Sequence, residues 1–369
     1  MLKRSSKYVL SLLAAAVVSS PVVAQQAKPA AAAPIAEQPN QVIGNEITPQ
    51  QQTAVDLGLK SLAARQARNG SFGANYGSSG GHAGITALAG LAFMSDGNLP
   101  GRGKYGENVT KCLDFVLANC QESGLIASDS SHGSMYGHGF ATLFLGEVYG
   151  MTHDENVKEK LQKAVRLIQK TQNREGGWRY TPVPADADIS VTITEIMGLR
   201  AARDAGIKVE KEVIDMAVKY VRRCQNPDGG FSYMAGQGSG SAFPRSAAGV
   251  ASLYYAGHFE GDDLKRGLDY LKQFVPGKGA ARGAAQFGNE SGFYFYGHYY
   301  ACQAMFLAGG EYWAAYYPAI REQLIAKQHK TTGAWNGEAG EDYATAMALI
   351  ILQMPNRYLP VFHGKGPGS

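Results

Sequence analysis

Two kinds of hydrophobic pattern alternate along the chain. The first confines apolar residues to one face, as in "NVKEKLQKAVRLIQK", where Val157, Leu161, Val165 and Ile168 follow at spacings of four, four and three. The second is small and apolar almost all round, as in "HGFATLFLGEVYG" and "DYATAMALIIL". A one-faced helix keeps a wet side, whereas a helix that is apolar all round must be buried on several sides. The alternation therefore predicts two concentric layers, with the one-faced helices outside and the apolar helices inside.

A recurring turn joins the two patterns. In "QNREGGW", Gln172 ends a one-faced helix and the turn closes on Gly-Gly-Trp. The residues that close five such turns are Phe72, Leu125, Trp178, Phe231 and Trp335. The first four are 53 residues apart, and the fifth follows after 104, which leaves room for one degenerate unit around residues 273–287. The count predicts six helical hairpins.

The predicted fold class is all-α, an α/α-toroid of six inner and six outer helices over residues 48–362. An open solenoid would also satisfy the repeat. The closed ring is favoured because an open stack would leave one apolar inner face in water. The array begins at Thr48, which precedes a proline at the first helical position and a glutamine three residues on, and it ends near Pro355.

The turn itself is interpreted as a structural joint between hairpins. Gly176 and Gly177 permit a positive φ where the outer helix stops. Trp178 offers a large apolar face to cover the joint. The side-chain amide of Gln172 can satisfy backbone groups at the helix end.

The first residues have the layout of a secretory signal. Lys3, Arg4 and Lys7 precede an apolar run over residues 8–18, and the small residues 22–24 fit a cleavage site. The run is too short for a membrane-spanning helix. We therefore expect a signal peptide at 1–24 and an exported protein, periplasmic or secreted, with an uncleaved membrane anchor as the alternative.

The remaining ends of the chain are predicted to be flexible. Residues 25–47, rich in Ala, Pro and Gln, are expected to form a linker, and residues 363–369 a disordered tail. The formal charge is +4, and three of the positive charges lie in the predicted signal, so the mature chain is near +1. The absence of a basic block interleaved with aromatic residues argues against nucleic acid as a partner.

The four cysteines are predicted to be buried thiols. Cys112 and Cys120 stand eight residues apart on one predicted helix, about 12 Å along its axis, which is beyond disulfide reach. Cys224 and Cys302 stand alone in other segments.

The turn resembles the QW-type repeat of the squalene cyclase and protein prenyltransferase superfamily. Trp178 and Trp335 match that repeat, and Phe72 and Phe231 match it with Phe in place of Trp. The resemblance implies an aromatic-lined central cavity for an isoprenoid-like or other elongated apolar ligand. The expected partners are such a small molecule or a peptide, with a membrane surface as a further candidate.

The resemblance also implies a candidate acid. Triterpene cyclases are similar to one another at an Asp-rich motif whose middle Asp protonates the substrate, and Asp186-Ala-Asp188 keeps two acidic positions. Burial would have to keep Asp188 protonated. The alternative is that Asp188 caps the N-terminus of the third inner helix. Glu195 shares a helix face with Asp188, at about 10.5 Å along the axis, which is too far for a retaining glycosidase pair.

Other candidates lie near the starts of inner helices. His298 resembles the zinc-binding His of protein prenyltransferases, but the expected Asp and Cys are absent, so no metal and no cofactor are expected. The histidines predicted to face one end of the cavity are His82, His138 and His298. Between residues 292 and 317, 11 of 26 residues are aromatic, and Tyr296 and Tyr299 are the predicted wall.

Two hypotheses stay open from the sequence. The first is a terpene-cyclase-like enzyme that uses Asp188 as the acid. The second is a non-catalytic module whose cavity or rim binds an apolar ligand or a peptide. Arg245 is predicted to be a cavity or ligand-binding residue. If Arg245 instead paired with Asp188, it would keep that carboxyl ionised and disfavour the enzyme.

Overall fold

The fold is entirely helical in the part of the chain that the computed structural model describes, residues 34–41, 46–74, 80–128, 133–277 and 293–364. These residues form twelve α-helices, and no β-strand lies among them. None of these helices is both long and apolar enough to cross a membrane. The predicted signal peptide, the start of the linker and the glycine-rich part of the degenerate repeat lie outside the described residues.

The helices alternate between two layers. The odd-numbered helices keep one side in solvent: α1 (Pro49–Arg65), α3 (Gly106–Ala118), α5 (Glu155–Thr171), α7 (Lys211–Arg223), α9 (Asp262–Leu271) and α11 (Gly310–Lys327). The even-numbered helices are buried along nearly their whole length: α2 (Ala83–Met94), α4 (Ser134–Thr152), α6 (Ile189–Asp204), α8 (Phe243–Tyr255), α10 (Tyr294–Ala308) and α12 (Gly340–Gln353).

The inner helices close into a ring. Each packs against the next from α2 to α12, and α12 packs against α2. An open solenoid would keep its first and last helices apart, so this last contact decides between the two architectures. The prediction of an α/α-toroid with six inner and six outer helices is confirmed.

A glutamine side chain ties two hairpins together at four of the joints. The Gln172 amide donates to the Gly176 carbonyl in its own turn, at 2.9 Å, and to the Val213 carbonyl of the next outer helix, at 2.8 Å. The same pair of bonds is made by Gln66, Gln225 and Gln328. Gln328 reaches the Ala54 carbonyl in α1, so the last hairpin is joined to the first in the same way as the others.

The predicted roles of Trp178 and Gly176 at the joint are confirmed, and that of Gly177 is not. Trp178 is buried, and its indole N–H donates to the Ile168 carbonyl at 2.8 Å. Gly176 has a φ of +101°. Gly177 was expected to need a positive φ as well, but its requirement is space, because a Cβ there would crowd Ala187 and Thr192.

One copy of the repeat is displaced by a residue from its predicted place. Gly124, with a φ of +92°, is the counterpart of Gly176, so the closing position in the second copy is Ile126 and not Leu125. Ile126 is fully buried, whereas Leu125 is only partly buried. The glycine sets the register because it contacts the next outer helix in both copies.

Segments from both ends of the described chain cover one end of the ring. Val361 and Phe362 are buried, and the Val361 N–H donates to the Glu147 carboxyl of α4 at 3.2 Å. Arg357 pairs with Glu46 at 2.7 Å, and both side chains are nearly inaccessible to solvent. Glu46 falls in the predicted flexible linker, and this part of it is packed against the helical domain.

The four cysteines are free and buried. Cys112 lies in α3, and Cys120 follows the end of that helix. The prediction of buried thiols is therefore confirmed.

Candidate functional site

A cavity of about 980 Å³ lies at the N-terminal ends of the inner helices. Its wall is formed by the first turns of these helices and the loops that precede them. The aromatic residues that line it are Tyr136, Phe140, Tyr180, Tyr233, Phe293, Tyr296 and Tyr343. The predicted aromatic-lined cavity is therefore present at one end of the ring.

The tyrosine hydroxyls of the wall are largely bonded within the protein. Tyr180 and Tyr233 share a hydrogen bond through their hydroxyls. Tyr296 donates to the Ser190 carbonyl at 3.3 Å. Because these polar tips are already satisfied, the wall offers a ligand mainly ring faces.

Asp188 caps helix α6. Its Oδ1 accepts the backbone N–H groups of Ser190 and Val191 at 2.8 and 2.9 Å. The side chain has no exposed surface and is not part of the cavity wall. The capping alternative weighed for this residue therefore describes its position in the structure.

The cation beside Asp188 is Arg179, which the sequence did not single out. Its Nε lies 3.7 Å from Asp188 Oδ2, and the guanidinium also pairs with the half-exposed Asp186. Burial raises the pKa of Asp188 to about 6, against the opposing effect of the two N–H groups and Arg179. Arg245 makes no ion pair with Asp188 and lines the cavity.

Glu195 does not reach the cavity. It lies on α6, fully buried, and neither carboxyl oxygen has a hydrogen-bond partner among the described residues. Burial raises the pKa of Glu195 well above its ordinary value, because no charge or hydrogen-bond donor offsets the loss of water around the carboxyl. Its predicted place in the ligand wall is corrected: the carboxyl is enclosed within the helical packing.

The three predicted histidines do not converge. His82 lines the cavity and caps α2, accepting the N–H groups of Gly84 and Ile85 at Nδ1. His138 is fully buried at a joint, where its Nδ1 accepts the Ile126 N–H at 3.1 Å. His298 lies 2.6 Å from the Tyr316 hydroxyl. Neither of the last two lies in the cavity wall.

Burial explains the protonation state of these two histidines. It lowers the pKa of His138 to about 4 and that of His298 to about 3. The neutral ring of His138 accepts the backbone N–H of the joint residue in the second copy. In the third and fourth copies the hydroxyls of Thr192 and Ser246 accept the same N–H. This histidine is therefore part of the repeat and not a ligand group.

Of the two tyrosines predicted as the wall, one faces the cavity. Tyr296 lines it, whereas Tyr299 lies within the ring, with its aromatic centroid 6.2 Å from that of Phe140. Phe140 itself lines the cavity, so these rings fill the centre below it.

Several residues of the cavity wall were not predicted from the sequence. Tyr180 and Tyr233 stand 53 residues apart, each two positions after a joint tryptophan or phenylalanine, so the repeat period was a signal that could have found them. Glu338 lines the cavity and accepts the Tyr296 N–H at 3.0 Å. Burial raises the pKa of Glu338. At the same distance from the joint residue, the first, third and fourth copies have Asn75, Thr181 and Met234, and only the second has an acid, Asp129. The repeat therefore gave only a weak signal for Glu338.

Metal ligation has no support in the described part of the chain. No group of three or more His, Cys, Asp or Glu side chains is arranged to hold a metal ion there. The residues of the cavity wall are mainly aromatic and small, and they do not form a set of metal ligands.

The geometry agrees with a family match. A profile of the squalene-hopene cyclase C-terminal domain matches residues 141–314, which run from α4 into α11. The resemblance to the squalene cyclase superfamily is confirmed. A comparison with curated proteins gave no match.

Solved structures share the α/α-toroid fold at low identity. A type II terpene cyclase from Scytonema is 14% identical, with a TM-score of 0.57, and the match covers 84% of this chain and 99% of that one. An α-1,6-mannanase from Salegentibacter is 10% identical, with a TM-score of 0.62 and coverages of 84% and 99%. A cellobiose 2-epimerase from Spirochaeta thermophila is 12% identical, with a TM-score of 0.59 and coverages of 84% and 98%. At these identities the likeness shows the fold and not the reaction.

Proposed function

We propose that this protein binds an apolar, isoprenoid-like molecule in the aromatic cavity and holds it without converting it. The observation that carries the proposal is the wall itself, a set of tyrosine and phenylalanine rings whose polar tips are largely occupied. The cavity volume, about 980 Å³, lies at the upper end of the range of small-molecule sites, ~300–1,000 Å³.

The position of Asp188 argues against the cyclase hypothesis. A carboxylic acid that protonates an alkene must be neutral and must face the substrate. Asp188 lies behind the wall, its Oδ1 accepts two N–H groups, and Arg179 stands beside its Oδ2. These contacts favour the charged form and oppose transfer of a proton.

The similar structures bind two classes of ligand, isoprenoids and sugars, and the residues of the cavity wall favour an isoprenoid. The terpene cyclase has been solved with geranylgeranyl dihydroxybenzoate and the mannanase with α-1,6-mannotriose. A sugar needs many hydrogen-bond partners, whereas the bonded tyrosine hydroxyls leave few. An apolar ligand needs the ring faces that this wall offers.

Exposed apolar residues near the cavity support uptake of such a ligand from a membrane surface. Phe293 at the rim is 63% exposed, and Val183, close to the wall residue Thr181, is 57% exposed. Exposed apolar side chains beside an opening are typical of a surface that meets a membrane or another protein. With the predicted signal peptide, this supports an exported protein that takes its ligand at a membrane surface.

A cavity-blocking variant tests the proposal. Ala339 lines the cavity at the start of α12, so Ala339→Trp should fill part of it and weaken binding of geranylgeraniol and squalene at least about tenfold. Native mass spectrometry and calorimetric titration of the purified, delipidated protein measure the affinity. Ala118→Trp, on the exposed side of α3, is the matched control and should bind like wild type.

Three results would overturn the proposal. Two concern binding: neither ligand binds wild type, or both bind the Ala339→Trp variant as tightly as wild type while its melting temperature is unchanged. The third is a cyclised product from either ligand, detected by gas chromatography and mass spectrometry, which would restore the enzyme hypothesis. Lipid extracted from the protein as purified identifies the natural ligand directly.

A further inference from the structure

Arg245 is a cation in the wall of an otherwise largely apolar cavity. It is the third residue of α8 and lines the cavity. Its Nε is fully buried without a hydrogen-bond partner, and one terminal N–H group donates to the Gly240 carbonyl. No described Asp or Glu pairs with it, whereas Arg179, Arg200 and Arg357 all have carboxylate partners.

The helix to which Arg245 belongs makes its surroundings more positive. The N-terminus of a helix carries a partial positive charge, so a cation in the first turn is unfavourable. The N-cap of α8 is Ala242, which offers no side-chain acceptor, and the first turn holds no acid. In three other inner helices a side chain accepts backbone N–H groups of the first turn. These side chains are His82 at α2, Asp188 at α6 and Glu338 at α10.

The neighbours of Arg245 do not offset this charge. The electrostatic partner described for it is Tyr270 of α9, which is neutral at pH 7, and burial lowers the pKa of the guanidinium. The same wall contains the carboxyl of Glu338, which accepts the Tyr296 N–H and makes no ion pair with Arg245; burial raises the pKa of Glu338. A guanidinium that lines the cavity without a carboxylate partner, at the positive end of a helix, lacks an anion.

We propose that the ligand is an amphiphile whose anionic head, a carboxylate or a phosphate monoester, binds Arg245 at the first turn of α8 while its apolar tail lies along the tyrosine wall. The inference rests on the proposed binding function and names the class of ligand for that site. The planar fork of a guanidinium matches both kinds of head, and charge-assisted hydrogen bonds of this type are roughly twice as strong as neutral ones. The uncapped N–H groups of the turn favour the same negative charge.

Three ligands that share one apolar tail separate the contribution of the head group to the affinity from that of the tail. Geranylgeraniol, geranylgeranoic acid and geranylgeranyl monophosphate differ only at the head group, and calorimetric titration against the purified protein gives their affinities. Wild type should prefer at least one anionic ligand to the alcohol by about tenfold or more at low salt, and the preference should shrink as salt is added. The acid and the phosphate distinguish the two sources of negative charge.

The variant Arg245→Met should abolish the preference and leave the affinity for geranylgeraniol within about twofold. Arg245→Lys keeps the charge without the fork and should retain part of the preference, and it also guards against a folding defect in the methionine variant. Arg166→Met, at an exposed position of α5, is the control and should behave like wild type. Melting temperatures of all variants show that the fold is kept.

The outcomes separate the two proposals. If none of the three ligands binds, the binding function itself fails. If the alcohol binds wild type as tightly as both anions do, or if Arg245→Met keeps the preference, the anionic head is excluded while the apolar site stands.

Discussion

At the scale of single residues, the carboxyl groups show where inference from the sequence stops. The spacing of "ADADIS" gave two roles for Asp188, and the structure places it as a helix cap. Nothing in the sequence could show that Arg179 would lie beside it, because the two residues meet through a loop. Glu338 was missed for the same reason: its side chain reaches α10 from the loop before α12.

Buried acids give the molecule a pH-dependent stability. Burial raises the pKa of Glu147 to about 8, although the Val361 N–H opposes this shift. A raised folded pKa means that the folded state holds the proton more tightly than the unfolded state. The stabilisation is therefore complete below about pH 4.5, the ordinary value, and is lost as the pH rises towards 8.

We expect Glu147→Gln to remove this loss. Urea unfolding at pH 5, 6.5 and 8 should show wild type losing stability relative to the variant by up to ~1.4 kcal/mol per pH unit. Gln keeps an acceptor for the Val361 N–H, so a large defect at pH 5 is not expected. Glu212→Gln, at an exposed site of α7, should leave the slope unchanged, and equal slopes in wild type and Glu147→Gln would contradict the assignment.

At the scale of elements, the repeat was the strongest signal in the sequence. Helix types, hairpin number and the joint followed from the period and from two kinds of apolar pattern, because neighbouring units pack through the same contacts. The second copy was placed one residue early since "QESGLI" has no aromatic residue to mark the closing position. Its register is set by the positive-φ glycine, which sequence alone does not reveal.

The joint glycine should be intolerant of a side chain. In Gly176→Ala the new Cβ would overlap the Met216 carbonyl of α7 and the residue would keep a φ of +101°. Gly206 has a φ of +87° but open space around its Cβ position. Gly206→Ala should cost about 1–2 kcal/mol from the backbone alone, and Gly176→Ala at least ~2 kcal/mol more. Equal losses in urea unfolding would show that the contact with α7 is not tight.

At the scale of the whole molecule, ring closure followed from hydrophobicity, but the covered end of the ring did not. The residues that cover it come from segments far apart in the sequence, with no periodic pattern. Residues 34–41 and 46–47 looked like part of a linker because their composition is poor in large apolar side chains. Their contacts include the buried ion pair of Glu46 with Arg357 and backbone hydrogen bonds of Glu37 and Pro39 to distant segments, which composition does not reveal.

That ion pair should behave as a unit. Arg357→Met leaves the carboxylate of Glu46 buried and unpaired, and we expect a loss of about 3–5 kcal/mol. The double variant Arg357→Met/Glu46→Met removes both charges and should recover a large part of that loss. A double-mutant cycle in thermal or urea unfolding measures the coupling, and purely additive losses would contradict it.

The tie from Gln328 to the Ala54 carbonyl has a topological consequence. Because it repeats the bonds made by Gln66, Gln172 and Gln225, the contact that closes the ring has the same hydrogen bonds as these contacts within it. The polypeptide is linear, yet its architecture is that of a circle. The chain ends could therefore lie in a different loop between hairpins, and we expect a circularly permuted chain to assemble the same chamber.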